Sequence, residues 1–380
     1  MKTTMAVLKK KEKIIKKKVI KKKTTKVVKK KVGGKKKITR KRLKKVSPLK
    51  LERSKKNPII EPASHVYWES KAAFNPSAIY SDGKIHVIYR AIGDRDMSVL
   101  GYANSSDGFS FNKDSKQLAY YQKDRFTIQK KSVPQITSSG GGWGGGSEDP
   151  RLTLLDDRVY MLYTAFDGWG SVRIALTSIS LDDFIKHRFD WDKPVLISPP
   201  GEINKNWVLF PEKINGKFAI LHSISPTIMV DYFDSLDELD GKHFIHSVSR
   251  DNPLWEKRDP LIRGVGPSPL LTKYGWLIFY HKMEMHETHR YKLWAMVLDK
   301  NNPTKILFNS REPILEPDLW YENEGFKAGV IYSCGAVIKD GKLFVYYGGA
   351  DTVSCVATTD LDKFLEELKT HKVSKLQNKK

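Results

Sequence analysis

Past residue 57 the chain is written in short runs in which apolar and polar positions alternate with a period of two, each run opened by a turn signal. The pattern occurs five times: Asp82-Gly83 before 84–90, Asp156-Asp157 before 158–164, Asn215-Gly216 before 217–222, Tyr274-Gly275 before 276–281, and Asp340-Gly341 before 342–348. Asp-Gly and Asn-Gly supply the positive φ that a type I′ turn requires at both central positions, so each copy predicts a β-hairpin. The turn residues 82, 157, 215, 274 and 340 are 58 to 75 residues apart, room for a four-stranded unit with its loops. Short Pro-led strands at 57–60, 193–196 and 312–315 add to the repeat. The expected fold is all-β, a five-bladed β-propeller over 51–370, with an open β-sandwich as the alternative.

The N-terminus breaks this pattern. Residues 1–50 are Lys runs interrupted by Val, Ile and Thr, a composition that repels itself and cannot bury a core. A disordered Lys-rich tail is expected there, and a short C-terminal tail at 371–380. Through residue 56 there are 27 Lys and Arg against Glu12 and Glu52, which exceeds the whole chain's net charge of +24, so the remainder is balanced. Nothing in that balance suggests a nucleic-acid-binding fold; the tail alone is suited to anionic polymers, without sequence choice. No stretch approaches the roughly 20 apolar residues that span a bilayer, and the start lacks the apolar segment of a secretory signal, so a cytoplasmic protein is expected. The two cysteines, Cys334 and Cys355, read as buried thiols. A homo-oligomer is compatible with the sequence.

In a propeller the innermost strands converge on the axis, and residues at their starts line a funnel. Five segments precede the five hairpins: 74–77, 146–151, 209–213, 263–269 and 333–336. These segments, with Glu148-Asp149-Pro150-Arg151, Tyr163-Thr164-Ala165, Phe210-Pro211-Glu212-Lys213, the Gly-x-Gly-Pro-x-Pro run at 264–269 and Tyr346-Tyr347-Gly348-Gly349-Ala350-Asp351, resemble glycoside hydrolase family 130, the five-bladed mannoside phosphorylases and related hydrolases. The likeness covers about 57–368 and leaves the tail outside.

The resemblance implies an enzyme that cleaves β-mannosides or related oligosaccharides, with Asp149 as general acid. Chemistry agrees: a leaving oxygen needs a proton donor, and Glu148 beside Asp149 in a partly dry funnel is expected to raise its pKa. The attacking group separates two mechanisms. An inverting hydrolase needs a second carboxylate about 6.5–9.5 Å away to activate water, whereas a phosphorylase needs a cationic cradle for phosphate. The first-blade slot where five-bladed glycosidases usually offer an Asp base is Asn75, which favours inverting phosphorolysis to a sugar 1-phosphate. By the resemblance, Arg173, Arg263, His281 and Tyr291 are phosphate-binding. Arg263 lies one residue from the family's Lys, however, and His222 is followed by Ser223 where many relatives carry Arg. Asn75, Arg90, Asp107, Glu148, Arg151 and Asp351 are expected around the sugar, Ser106-Asp107-Gly108 having a plain turn as its alternative.

No metal or organic cofactor is expected, only inorganic phosphate as co-substrate. His281, His286, His289, Glu284 and Glu287 have a metal-like composition, but 282–290 reads as a solvated polar loop. The glycine run 140–146 lacks the Lys-Ser/Thr of a phosphate loop and is expected to bend beside Asp149, with Trp143 placed to stack on a sugar. Two rivals remain. One is an inverting hydrolase with Glu212, Glu324 or Asp351 as base; the other is a non-catalytic glycan-binding propeller or a scaffold for the basic tail.

Overall fold

The computed structural model describes residues 49–122, 144–168, 170–249, 253–371 and 376, all within the unit Ser47–Lys380. Of the expected N-terminal tail only Leu49 and Lys50 are described, and Leu49 is buried in a hydrophobic core with Leu277 and Val345, so the folded part starts a little earlier than expected; Trp143 lies outside the described residues. The fold opens with β1 (Glu52–Arg53), whose partner comes last in the chain. The first blade holds β2 (Ala72–Ser81), β3 (Lys84–Ile92), β4 (Ser98–Ser105) and β5 (Asn112–Asp114). The second holds β6 (Gly146–Leu155), β7 (Arg158–Phe166), β8 (Val172–Ser180) and β9 (Val195–Leu196), and a short helix α1 (Leu181–Ile185) follows β8. In the third are β10 (Val208–Leu209), β11 (Phe218–Ser223) and β12 (Met229–Phe233). The fourth has β13 (Ile262–Val265), β14 (Leu270–Thr272), β15 (Gly275–Glu284), β16 (Glu287–Leu298) and β17 (Ile306–Asn309). After α2 (Trp320–Asn323) come β18 (Ile331–Lys339), β19 (Lys342–Gly349), β20 (Val353–Asp360) and the closing helix α3 (Leu361–Thr370).

Five hydrophobic clusters, one for each pair of neighbouring blades, make this set a ring. Val87, Tyr89 and Ala103 pack on Phe344, Tyr346 and Val356, while on the other face of the first blade Ile88, Leu100 and Tyr102 pack on Met161, Tyr163 and Ala175. Leu162 and Ile174 meet Trp207 and Ile220; Ala219 and Leu221 meet Trp276 and Ile278; Leu277 and Phe279 meet Val345 and Tyr347. Every second strand therefore sends odd and even positions into two different cores, which is why these runs are so apolar throughout. The ring is fastened by β1 on β20 (Glu52↔Thr358, Arg53↔Ala357). Arg53 forks onto buried Glu322 at 2.8 and 2.9 Å, and Tyr347 donates to the same carboxylate at 2.8 Å.

All five predicted hairpins exist, but only three turns carry positive φ at both central residues: Asp82-Gly83, Asn215-Gly216 and Asp340-Gly341. In the second turn Asp156 alone is left-handed. In the fourth the loop is Lys273-Tyr274, and Gly275 (φ 131°) starts β15 where a Cβ would lie 2.1 Å from the Leu298 carbonyl oxygen. The Pro-led strands belong to blade edges: Val195–Leu196 is the outer strand of the second blade, Leu315 bridges Leu293 of β16, and Ile60 bridges Ser354 of the last blade. Segment 282–290 is not a loop, because β15 runs to Glu284 and β16 starts at Glu287. Among the described residues no helix is long and apolar enough to cross a membrane.

Candidate active site

Two matching irregularities build the floor of the site. In β2 the ladder breaks between Phe74 and Ser77, in β6 between Glu148 and Arg151, and the displaced residues, Asn75 (φ 50°) and Asp149 (φ 49°), are both left-handed and both precede proline. Proline has no N–H to lose from the ladder, so each Pro sits in a bulge that re-aims the preceding side chain. The Asn75 amide Nδ2 donates to Asp149 Oδ1 at 2.8 Å. Gly348 makes room for this pair: a Cβ there would lie 2.0 Å from Asn75 Oδ1.

Arg90, from β3, lies beneath them, wholly buried. It donates from Nη2 to Glu148 Oε1 at 2.9 Å, from Nη1 to Asp149 Oδ1 at 3.3 Å and from Nε to Ser98 Oγ at 2.9 Å, and stands 5.0 Å over the Phe74 ring. Lys205 Nζ approaches Glu148 Oε2 at 3.7 Å. This corrects the expectation that Glu148 raises the pKa of Asp149. Burial alone pushes Asp149 up, but Arg90 first, then Lys205 and Arg151, and the Asn75 hydrogen bond bring it down to about 2. Asp351, on the turn after β19, is the carboxyl that goes up, to about 6, chiefly through burial; Lys327 pulls it down and Asp149 pushes it up.

Asp149, Asn75, Arg90 and Asp351 line one cavity of about 520 Å³, together with Arg263 and Tyr291. The sequence reading missed Lys205, Asn206, His222, Arg258, Lys327 and Tyr332, which line it too. Lys327 Nζ lies 4.6 Å from the centroid of the Tyr291 ring, and the Arg263 guanidinium covers the same ring at 5.2 Å. These cations come from loops and strand ends of the second to fifth blades and share no motif, so only the fold brings them together.

Several expected site residues do other work. Asp107 is outside the cavity: Oδ1 accepts from Ser105 Oγ and from the backbone N–H of Phe109 and Ser110, making it the turn that was its alternative reading. Glu148 is buried behind Arg90, not facing the cavity. Arg151 is also buried; it donates to the Asp149 carbonyl at 2.9 Å, to Asn206 Oδ1 at 2.9 Å and to the Gly266 carbonyl at 3.0 Å, and so holds the backbone of the bulge. Arg173 gives Nε and Nη2 to the Ser198 carbonyl and stacks 5.2 Å over Phe244. His281 is fully buried, accepts the Ser333 N–H on Nε2 at 2.8 Å and stacks on Tyr332 at 4.3 Å. Burial and then Arg151 depress it to about 3, so it is neutral and does not line the cavity. Ligand atoms of Glu284, His286 and Glu287 lie within 4.8 Å of one another at the β15–β16 tip, but Lys292 pairs with both carboxylates.

A family model described as β-1,4-mannooligosaccharide phosphorylase, of glycoside hydrolase family 130, matches residues 35–370. The chain belongs to this family. The match begins inside the Lys-rich stretch, earlier than the residues that carried the resemblance. This family-130 chain is 36% identical over 324 residues to the 1,2-β-oligomannan phosphorylase of Thermoanaerobacter sp. (strain X514), covering 82% of this chain and 98% of that one. It is 33% identical over 330 residues to the β-1,2-mannobiose phosphorylase of the same organism, at 83% and 98% coverage. In fold it is similar to the solved β-1,2-mannobiose phosphorylase of Listeria innocua, with a TM-score of 0.62 at 24% identity over 84% of this chain and 99% of that chain.

Proposed function

We propose that this enzyme cleaves β-1,2-linked mannosides by inverting phosphorolysis, releasing a sugar 1-phosphate, with inorganic phosphate as co-substrate and no metal or organic cofactor. The observation that carries this reading is that one cavity holds a carboxylate group, Asn75, Asp149 and Arg90, and a cationic group, Arg263 and Lys327 over Tyr291, with Arg258 also in its lining. The β-1,2 linkage is taken from the two Thermoanaerobacter relatives rather than from the family model's β-1,4 description.

Asp149 passes the proton to the leaving oxygen. Arg90 and Lys205 outweigh burial and favour its ionised form. Over the whole reaction the proton balances: HPO₄²⁻ and the mannoside give the sugar 1-phosphate dianion and the alcohol, and the proton gained by the leaving oxygen equals the one phosphate loses. A bound dianion also offsets the pull of Lys205 and Arg90 and raises the proton affinity of Asp149. Arg263, Lys327 and Tyr291 hold the phosphate by charge-assisted hydrogen bonds. Arg90 and Asn75 orient Asp149 and face the sugar.

The hydrolytic reading survives in one form. Of the bases named from the sequence, Glu212 and Glu324 do not line the cavity, whereas Asp351 does. Turnover of β-1,2-mannobiose with and without phosphate, followed by ³¹P NMR, separates the two. Phosphorolysis predicts turnover only with phosphate and a new sugar-phosphate resonance; an equal rate in phosphate-free buffer rejects it.

A further inference from the structure

Asp351 lines the same cavity as Asp149 and the cations. It is 4% exposed and sits on a turn in which both Ala350 (φ 47°) and Asp351 (φ 53°) are left-handed, so the backbone aims it inward at some conformational cost. Asp149, equally buried, is held by Asn75 and Arg90. Among the described residues no hydrogen bond or ion pair within 4.0 Å reaches the Asp351 carboxylate; Lys327, Asp149, Arg90 and Lys205 act on it only through their charges. A buried carboxylate without a hydrogen-bond donor is costly, and such a group is expected to meet its donor on a ligand. Lys327 donates its backbone N–H to the carbonyl of Ala350, next to Asp351, at 2.9 Å, and its ammonium covers Tyr291 beside Arg263. Asp351 therefore borders the cationic group.

We propose that Asp351 reads the proton on the incoming anion: its carboxylate accepts a hydrogen bond from the P–OH of hydrogen phosphate and thereby rejects sulfate, which has the same shape and charge but no proton to give. The proposal rests on the phosphorolytic reading above and replaces the sugar-hydroxyl role expected for Asp351. At pH 7.5, where phosphate is mainly the dianion, cations alone do not separate these anions, since both are tetrahedral dianions of similar size. A fixed acceptor does, because sulfate would set acceptor against acceptor in a buried place. With Asp351 titrating near 6, more acid solution protonates it and turns it into a donor that sulfate tolerates. The discrimination is therefore present above that pH and fades below it.

The test is isothermal calorimetry of the full chain with inorganic phosphate and with sulfate, at pH 7.5 and pH 5.5, for the wild type, Asp351→Asn and Lys327→Ala. One charge-assisted hydrogen bond gained by phosphate, and one repulsive contact avoided, predict a wild-type preference of at least about tenfold at pH 7.5, shrinking at pH 5.5. Asp351→Asn, whose amide donates to either anion, is expected to bind both within about threefold of each other at pH 7.5, where both are mainly dianions. Lys327→Ala should weaken both anions with their ratio kept. Equal wild-type affinities at pH 7.5, or an Asn variant that keeps the wild-type preference, overturn the proposal, as does an Asn variant that loses mannobiose affinity while its anion ratio stays unchanged. If Asp351→Asn does not fold, Asp351→Glu replaces it: retained preference for phosphate supports the proposal, and lost preference in a variant that still binds both anions contradicts it. Phosphate-independent turnover by the wild type would sink the phosphorolytic reading itself; lost discrimination with phosphate-dependent turnover sinks only this proposal.

Discussion

Replacing Asn75 by Asp tests the geometry of the catalytic floor with a single atom exchange. In the wild type Asn75 Nδ2 donates to Asp149 Oδ1 at 2.8 Å, and Asn75→Asp sets a second carboxylate oxygen at that place. Two charges that close, at an effective dielectric constant of about 20, repel by roughly 6 kcal/mol. The folded protein avoids most of this by keeping one proton between the two carboxyls, which lifts the upper pKa of the pair by about two to four units, to between about 6 and 8. The unfolded chain releases that proton near pH 4. The folded state thus binds the extra proton between those limits, and its stability falls as pH rises from about 4 through the folded pKa. Over this range the variant loses about 3 kcal/mol relative to the wild type, a melting-temperature offset that grows by roughly 5 °C. The native Asp149, depressed to about 2, has the opposite sign: its stabilisation is complete above about pH 4 and is lost on acidification toward 2, outside the window compared. Thermal melts of both proteins at pH 4.5 and pH 8 provide the readout. An offset that is the same at both pH values would show that the two side chains do not meet, and the floor as described would be wrong.

Other consequences follow from the same arrangement. Asp149→Asn should lower kcat by about a hundredfold to ten-thousandfold in steady-state assays while leaving the melting temperature within a few degrees. Arg263→Ala and Lys327→Ala should each raise the KM for phosphate by about tenfold or more, whereas Arg173→Ala should leave that KM within about threefold, because its guanidinium is spent on the Ser198 carbonyl. Asp107→Ala should cost about 1 kcal/mol in denaturant melts by removing a turn acceptor, with no change in KM for mannobiose. Gly348→Ala should be poorly folded or inactive, since its Cβ would collide with Asn75.

The sequence carried the fold through its turns. Asp82-Gly83, Asn215-Gly216 and Asp340-Gly341 need left-handed backbone at both positions, a demand that local chemistry expresses wherever the segment lies. The ring closure was not readable that way: Glu52–Arg53 is too short to show a strand period, and its partner is some 300 residues distant. In the site, Asp149 and Asn75 were legible through the family resemblance, carried by segments that precede the first two hairpins. Lys327, Lys205 and Arg258 were not, because a single cation in a loop looks the same whether it faces solvent or a cavity. The misplaced residues share a different cause. His281 and Arg173 sit on strands β15 and β8, but the neighbouring Tyr332 and Ser198 that absorb them come from elsewhere in the chain. The direction of the Asp149 shift failed for a similar reason: Glu148 is adjacent in sequence, yet Arg90, from the neighbouring blade, neutralises it.

Isotope labelling addresses the nucleophile itself. Digestion of β-1,2-mannobiose in ¹⁸O-enriched water with unlabelled phosphate, analysed by mass spectrometry of the first products, reports which oxygen attacks the anomeric carbon. Attack by phosphate held at Arg263, Tyr291 and Lys327 predicts a sugar 1-phosphate with no ¹⁸O at the anomeric carbon. Two molecules of free mannose per mannobiose with no sugar 1-phosphate, at a rate indifferent to phosphate, would contradict it.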